Sequence, residues 1–125
     1  MFVELNNNPL NKSVGDCVIS SISLAEGKSW DEVFLDLMER AFEEKDISSS
    51  NSVWSGYLRD LGYRRHIIPD TCPNCYTIAD FAADHPTGTF VLATGTHAVT
   101  CIHGNHYDTW DSGREVPIYY FEKGD

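Results

Sequence analysis

Between Trp30 and Phe42 apolar residues recur at Trp30, Val33, Phe34, Leu37, Met38, Ala41 and Phe42. This is the helical period, sustained over more than three turns, and it predicts an amphipathic helix with one buried stripe. Ser29-Trp30-Asp31-Glu32 reads as a capping box at its start. Upstream, Asn6-Asn7-Asn8-Pro9 opens a polar loop that runs to Gly15. Asp16 is placed to cap a helix through about Glu26, and Gly27 to end it. Val18, Ile22 and Ala25 mark that helix's buried stripe. A third, shorter helix is expected from Ser52 to Asp60, with Gly62 as its stop.

After Gly62 the pattern changes. Tyr63 to Ile68 reads as a strand and Pro69 to Tyr76 as a loop. Thr77-Ile78-Ala79-Asp80 is a second capping box, opening a short helix that ends near His85-Pro86. From Thr89 onward the pattern is that of strands: Thr89 to Thr94, Ala98 to His103, His106 to Asp111, and Val116 to Glu122. Gly104-Asn105 has the composition of a two-residue hairpin turn. Helices first and strands later predict an α+β domain, N-terminal helices packed on a C-terminal antiparallel sheet. With 125 residues the chain is expected to form one domain spanning 1–125.

Charge narrows the partners. Nineteen acidic against nine basic residues give a net charge of −10. That disfavours nucleic acid, whose affinity comes from basic groups neutralising phosphates, and anionic membrane surfaces likewise. The long helix carries many of the acids (Asp31, Glu32, Asp36, Glu39, Glu43 and Glu44), which reads first as a solvated outer face. No apolar run reaches the ~18 residues of a membrane span, and the start lacks signal-peptide character, so a cytoplasmic protein is expected.

The chain holds four cysteines: Cys17, Cys72, Cys75 and Cys101. In a cytoplasmic chain of this size catalysis, metal binding or burial are the readings to weigh. Cys72-Pro73-Asn74-Cys75 with His103 and His106 has the ligand types of a zinc site. The two histidines flank a tight turn that nothing ties to the Cys72 loop, so two loop cysteines, one of them buried, are expected instead. A thioredoxin-like redox site would need a βαβ start before Cys72, and that region reads as helical. No cofactor or metal is expected.

Cys17 is different. It falls in the first turn of a helix, where unpaired N–H groups and the helix dipole favour the thiolate, the reactive form. His97 follows Gly95-Thr96 at a strand start, where an imidazole can face a cleft. A third group must hold the imidazole in the right tautomer, and Asp108 and Asp111 compete for that role. If Gly104-Asn105 is the turn, His103 pairs with His106 and His97 lies opposite Ser112, one residue from Asp111. Asp108 then lies opposite Cys101, on the order of 13 Å along the strand from His97. Alternation puts Asp108 on the histidine's face, but distance favours Asp111, with a bulge near Gly113 turning it inward. Asp111 is preferred and Asp108 held in reserve.

Gly15-Asp16-Cys17 opening a helix, Gly95-Thr96-His97-Ala98-Val99 opening a strand, and Tyr107-Asp108-Thr109-Trp110-Asp111 closing a hairpin occur in that order. The arrangement resembles papain-like cysteine peptidases, especially the compact domains that process bacteriocin leaders, and small proteins of Firmicutes-type bacteria and their phages. The resemblance implies a papain-like fold and Cys17-dependent acyl transfer on a peptide or protein substrate, by a thiol peptidase or isopeptidase. Deamidation and transamidation use the same constellation. It further implies an amide donor to the oxyanion six residues before the nucleophile. That position is Asn11, an Asn where the family has Gln, and the Cys17 N–H would be the second donor. Val18 stands where the family usually has an aromatic residue. A second reading from another class is an inactive papain-like scaffold, or an acidic protein that inhibits by contact.

Overall fold

The computed structural model describes residues 1–124. The chain is α+β, with four helices and a six-stranded mixed sheet. In order these are β1 (Phe2–Glu4), α1 (Cys17–Glu26), α2 (Trp30–Glu44), α3 (Asn51–Asp60), β2 (Tyr63–Ile67), α4 (Ile78–Asp84), β3 (Thr89–Ala93), β4 (Ala98–Ile102), β5 (Asn105–Asp108) and β6 (Tyr119–Lys123). The strands lie side by side as β1-β5-β4-β3-β6-β2. The expected antiparallel sheet is therefore corrected to a mixed one, because β1 runs parallel to β5. A three-residue strand near the chain start carries too little periodicity to be seen in sequence.

Helix ends follow local chemistry. Gly27 closes α1 at φ 67°, a left-handed position that costs glycine least. Ser29 accepts the Glu32 N–H at the start of α2, while the Glu32 side chain turns to Lys28 instead of completing the box. At α4 both halves of the Thr77–Asp80 capping box form.

The sheet is buried on both faces. Alternation along β3 sends Val91 and Ala93 toward α1, α2 and α3, where they meet Ile22, Val33, Leu37, Trp54 and Phe121. It sends Phe90 and Leu92 the other way, against Ile78, Phe81, Val99 and Cys101. The helices are thus not all on one side: α4 covers the second face. Double burial explains why β3, Thr-Phe-Val-Leu-Ala, is a continuous apolar run and does not alternate. Among the described residues no helix is long and apolar enough to cross a membrane.

One polar contact fixes how α1 sits on the sheet. Ser21 Oγ donates to the Ala98 carbonyl at 3.0 Å, and Thr100 Oγ1 donates to the Ser21 carbonyl at 2.6 Å. Both side chains are buried. Apolar packing alone tolerates sliding, whereas this reciprocal pair sets one register between α1 and β4.

The β4–β5 hairpin differs from expectation. Ile102 pairs with Asn105 and Thr100 with Tyr107, so His103 and Gly104 form the turn. Both have positive φ, 49° and 80°, the backbone signature of a type I′ hairpin turn. The register therefore shifts relative to a Gly104-Asn105 turn, with direct consequences at the site.

Candidate active site

Cys17 is the first residue of α1, and His97 immediately precedes β4. The Ser21–Ala98–Thr100 lock brings these two ends together, one helical turn and one residue away respectively. The thiol and the imidazole are partners. Burial pushes the Cys17 thiol up, but contact with His97, the Ala98 N–H, the imidazolium charge and the Val18 N–H together hold it below its ordinary 9.0.

His97 is held from its other side by Asp108. Its Nε2 donates to Asp108 Oδ2 at 2.6 Å, since a carboxylate can only accept. Nδ1 is then the nitrogen left to face sulfur. Ser112 Oγ donates to the same Asp108 oxygen at 2.7 Å, and the Thr109 N–H donates to Oδ1 at 2.8 Å. The Asp108 side chain is only 8% exposed and Ser112 is fully buried. The indole of Trp110 stacks on the imidazole at 5.3 Å. The hydrogen bond to Asp108, then that to Cys17, raise the His97 pKa to about 10. A base that holds its proton to about 10 beside a thiol whose own pKa is lowered by that contact favours a thiolate–imidazolium pair.

Asp111 is not the orienting acid, which corrects the preference drawn from the sequence. Its Oδ1 accepts the Gly113 N–H at 3.0 Å and faces His106 Nε2 at 3.2 Å, and its side chain is 66% exposed. The cause is the turn. With His103-Gly104 at the tip, Asp108 falls opposite Val99, diagonal to His97 and on its face. The distance that argued against Asp108 disappears.

Asn11 is corrected as well. It is exposed, with φ 55°, and lines neither cavity beside Cys17. Asn8 Oδ1 accepts the Leu10 and Lys12 N–H groups at 2.9 and 3.3 Å, and the Asx turn so formed carries Asn11 outward. Of this loop's asparagines Asn7 lines the cleft; its Nδ2 donates to the Ser20 carbonyl at 3.1 Å. Among the described residues the Cys17 N–H has no backbone acceptor, which leaves it for a ligand oxygen.

Asp16 stands at the N-cap of α1 but does not cap it with its side chain. Its Oδ2 accepts the Trp30 Nε1–H at 2.9 Å and faces Asn8 Nδ2 at 3.4 Å. The carboxylate is thus drawn aside, and the first N–H groups of α1 stay open to sulfur. This gives a prediction. Trp30→Phe keeps the stack on Phe34 and removes the indole donor. A freed Asp16 carboxylate then turns to the helix start, disfavours the thiolate, and moves the midpoint of Cys17 alkylation to higher pH. An unchanged alkylation profile in Trp30→Phe would show that the indole bond has no part in Cys17 reactivity.

Two cavities meet at the Cys17–His97 pair. One, about 310 Å³, is walled by Leu5, Asn7, Ser20, Leu24, Tyr107 and Trp110. The other, about 350 Å³, is walled by Val18, Ile19, Asn51, Trp54, Thr94 and Tyr119. Neither is lined by a lysine or arginine.

The remaining cysteines lie apart. Cys72 and Cys75 are joined as a disulfide and neither is buried, in place of the two loop cysteines expected, one of them interior. Cys101 is free and fully buried, and burial pushes its thiol up to about 11. Among the described residues no group of three His, Cys, Asp or Glu side chains is arranged to hold a metal ion.

Sequence reasoning missed Ser112, Trp30 and the Ser21–Thr100 lock. Only Ser21 gave a signal, a polar residue on the helix face next to Val18 and Ile22. Comparison with known proteins gives no match: no family model, no curated protein and no solved structure corresponds to this chain.

Proposed function

We propose that this protein is a cysteine-dependent acyl-transfer enzyme of papain-like type, a thiol peptidase or isopeptidase working through Cys17, His97 and Asp108. The observation that carries the reading is His97 bonded to Asp108 and set beside Cys17, at a helix start where two cavities meet.

In this reading the Cys17 thiolate attacks a carbonyl carbon and the C–S bond forms. The carbonyl oxygen takes the negative charge and is met by the Cys17 N–H. The imidazolium gives its Nδ1 proton to the leaving amine as the C–N bond breaks, leaving a thioester on Cys17. His97, now neutral, takes a proton from water, whose oxygen attacks the thioester and releases acid and thiolate. Asp108 keeps the ring oriented and its charged form favoured throughout, with Ser112 fixing Asp108 in turn. Because both cavities lack lysine and arginine, a neutral or basic peptide suits them better than an acidic one at the bond that is cut.

The test is a peptide-library digest read by mass spectrometry, wild type against Cys17→Ala. Cleavage confined to the wild type supports the reading. No cleavage by either, together with no adduct of a peptide aldehyde on Cys17, would favour a protein that acts by contact.

A further inference from the structure

We propose that the open edge of the sheet at β2, with α3 above it, docks an acidic, extended segment of the protein substrate. The inference rests on the peptidase reading for the word substrate, but not for the docking itself.

The chain carries a net charge of −10, yet three of its arginines gather at one place. Arg59 at the end of α3 and Arg65 on β2 line a cavity of about 320 Å³ together with Ser55, Tyr63 and Phe121, while Arg64, next along the strand, turns to the opposite face of the same edge. None of the three forms an ion pair with a described carboxylate, whereas Lys28, Arg40 and Lys123 all do. Unpaired arginines clustered on an acidic protein are a site of opposite sign to their surroundings.

The backbone beneath them is also unpaired. Among the described residues β2 is the terminal strand of the sheet and pairs only with β6. The Ile68 N–H donates to the Ile118 carbonyl at 2.9 Å. Alternation then turns His66 and Arg64 toward β6, and leaves the N–H and C=O groups of Tyr63, Arg65 and Ile67 facing outward. Such an edge accepts an added strand. Edge-to-edge pairing of two copies would bring like arginines together between two strongly acidic bodies. A segment with acids at alternate positions pairs with the same backbone groups and places carboxylates against Arg59 and Arg65.

The groove leads to the candidate active site. The Arg65 guanidinium lies 4.4 Å over the ring of Tyr119, and Tyr119 walls the second cavity beside Cys17. Asn51 and Trp54 of α3 line that cavity, while Ser55 and Arg59 of the same helix line the groove. A polypeptide held in the cleft can therefore continue along α3 onto the arginines.

The experiment is an amide NMR titration of Cys17→Ala full-length protein with peptides of about ten residues. One alternates Glu and Val; one has Lys for Glu; one is the Glu peptide N-methylated at every second residue. The Glu–Val peptide should shift the amides of Tyr63, Arg65 and Ile67, and the other two should not. Arg59→Gln with Arg65→Gln should weaken it about tenfold or more. Absence of shifts at millimolar peptide, shifts unaffected by the arginine changes, or equal binding of the N-methylated peptide would overturn the docking. So would shifts at β2 that grow with protein concentration alone, which would assign the edge to a second copy. Alkylation of Cys17 is independent of this edge. Peptide binding by a protein whose Cys17 proves inert would overturn the assignment to a substrate alone.

Discussion

Asp108→Asn is expected to lower Cys17-dependent acyl transfer by about 10²- to 10⁴-fold, the range that loss of correct acid–base function costs. Asp111→Asn, by contrast, should stay within about twofold of the wild type. The reason is the shared oxygen of Asp108, which receives both His97 and Ser112. An asparagine there can present its NH₂ to the ring in place of an acceptor, and the imidazole then loses its tautomer and its charge stabilisation. A pH profile separates this role from a merely structural one. In the wild type, activity should rise as Cys17 loses its proton below 9.0 and fall as His97 loses its own near about 10. With Asp108→Asn the alkaline limb should move to lower pH, because the largest cause of the raised His97 pKa is gone. Equal losses in Asp108→Asn and Asp111→Asn, with both limbs in place, would remove Asp108 from the site.

The second large effect concerns labelling. Brief iodoacetamide treatment near neutral pH should modify Cys17 almost alone. Cys72 and Cys75 are joined, and Cys101 is buried with its thiol pushed up to about 11. In His97→Ala the contact and charge that offset the burial of Cys17 are lost, so its pKa rises. Below the pKa each unit of that rise means tenfold less thiolate, and labelling slows accordingly. The sign is fixed: the variant's rate-against-pH curve must lie to the alkaline side. Superimposable curves for wild type and His97→Ala would show that thiol and imidazole are not coupled.

The sequence was most legible where periodicity is long. The apolar stripe of α2 and the Thr77–Asp80 capping box are local patterns, and local patterns survive folding. Cys17 and His97 could be singled out because each sits at the start of an element. The acid that meets His97 could not be chosen correctly, because it depends on the register of a hairpin. Asn105 is a better-known left-handed turn residue than His103, so composition put the tip one residue too late. An error of one residue at the turn became an exchange of Asp108 for Asp111 at the site. Asn11 failed for a related reason. Counting six residues back from Cys17 assumes a chain path that the Asx turn at Asn8 redirects. Asp16 looked like a cap because its position is right; its carboxylate is claimed by Trp30, from another helix. Contacts of that kind have no signature in the chain order.

The lock between α1 and β4 also bears on when the thiol becomes dangerous. Ser21 and Ala98 are 77 positions apart. At roughly 5–20 residues per second of synthesis, that gap lasts about 4–15 s. During it Cys17 is already made, but the strand that brings its base is not. An isolated thiol stays mostly protonated at neutral pH, so the growing chain carries a nearly inert side chain through the crowded moment of its birth. Topology thus sets the moment at which the thiol gains its imidazole partner, which comes only once the start of β4 has been made.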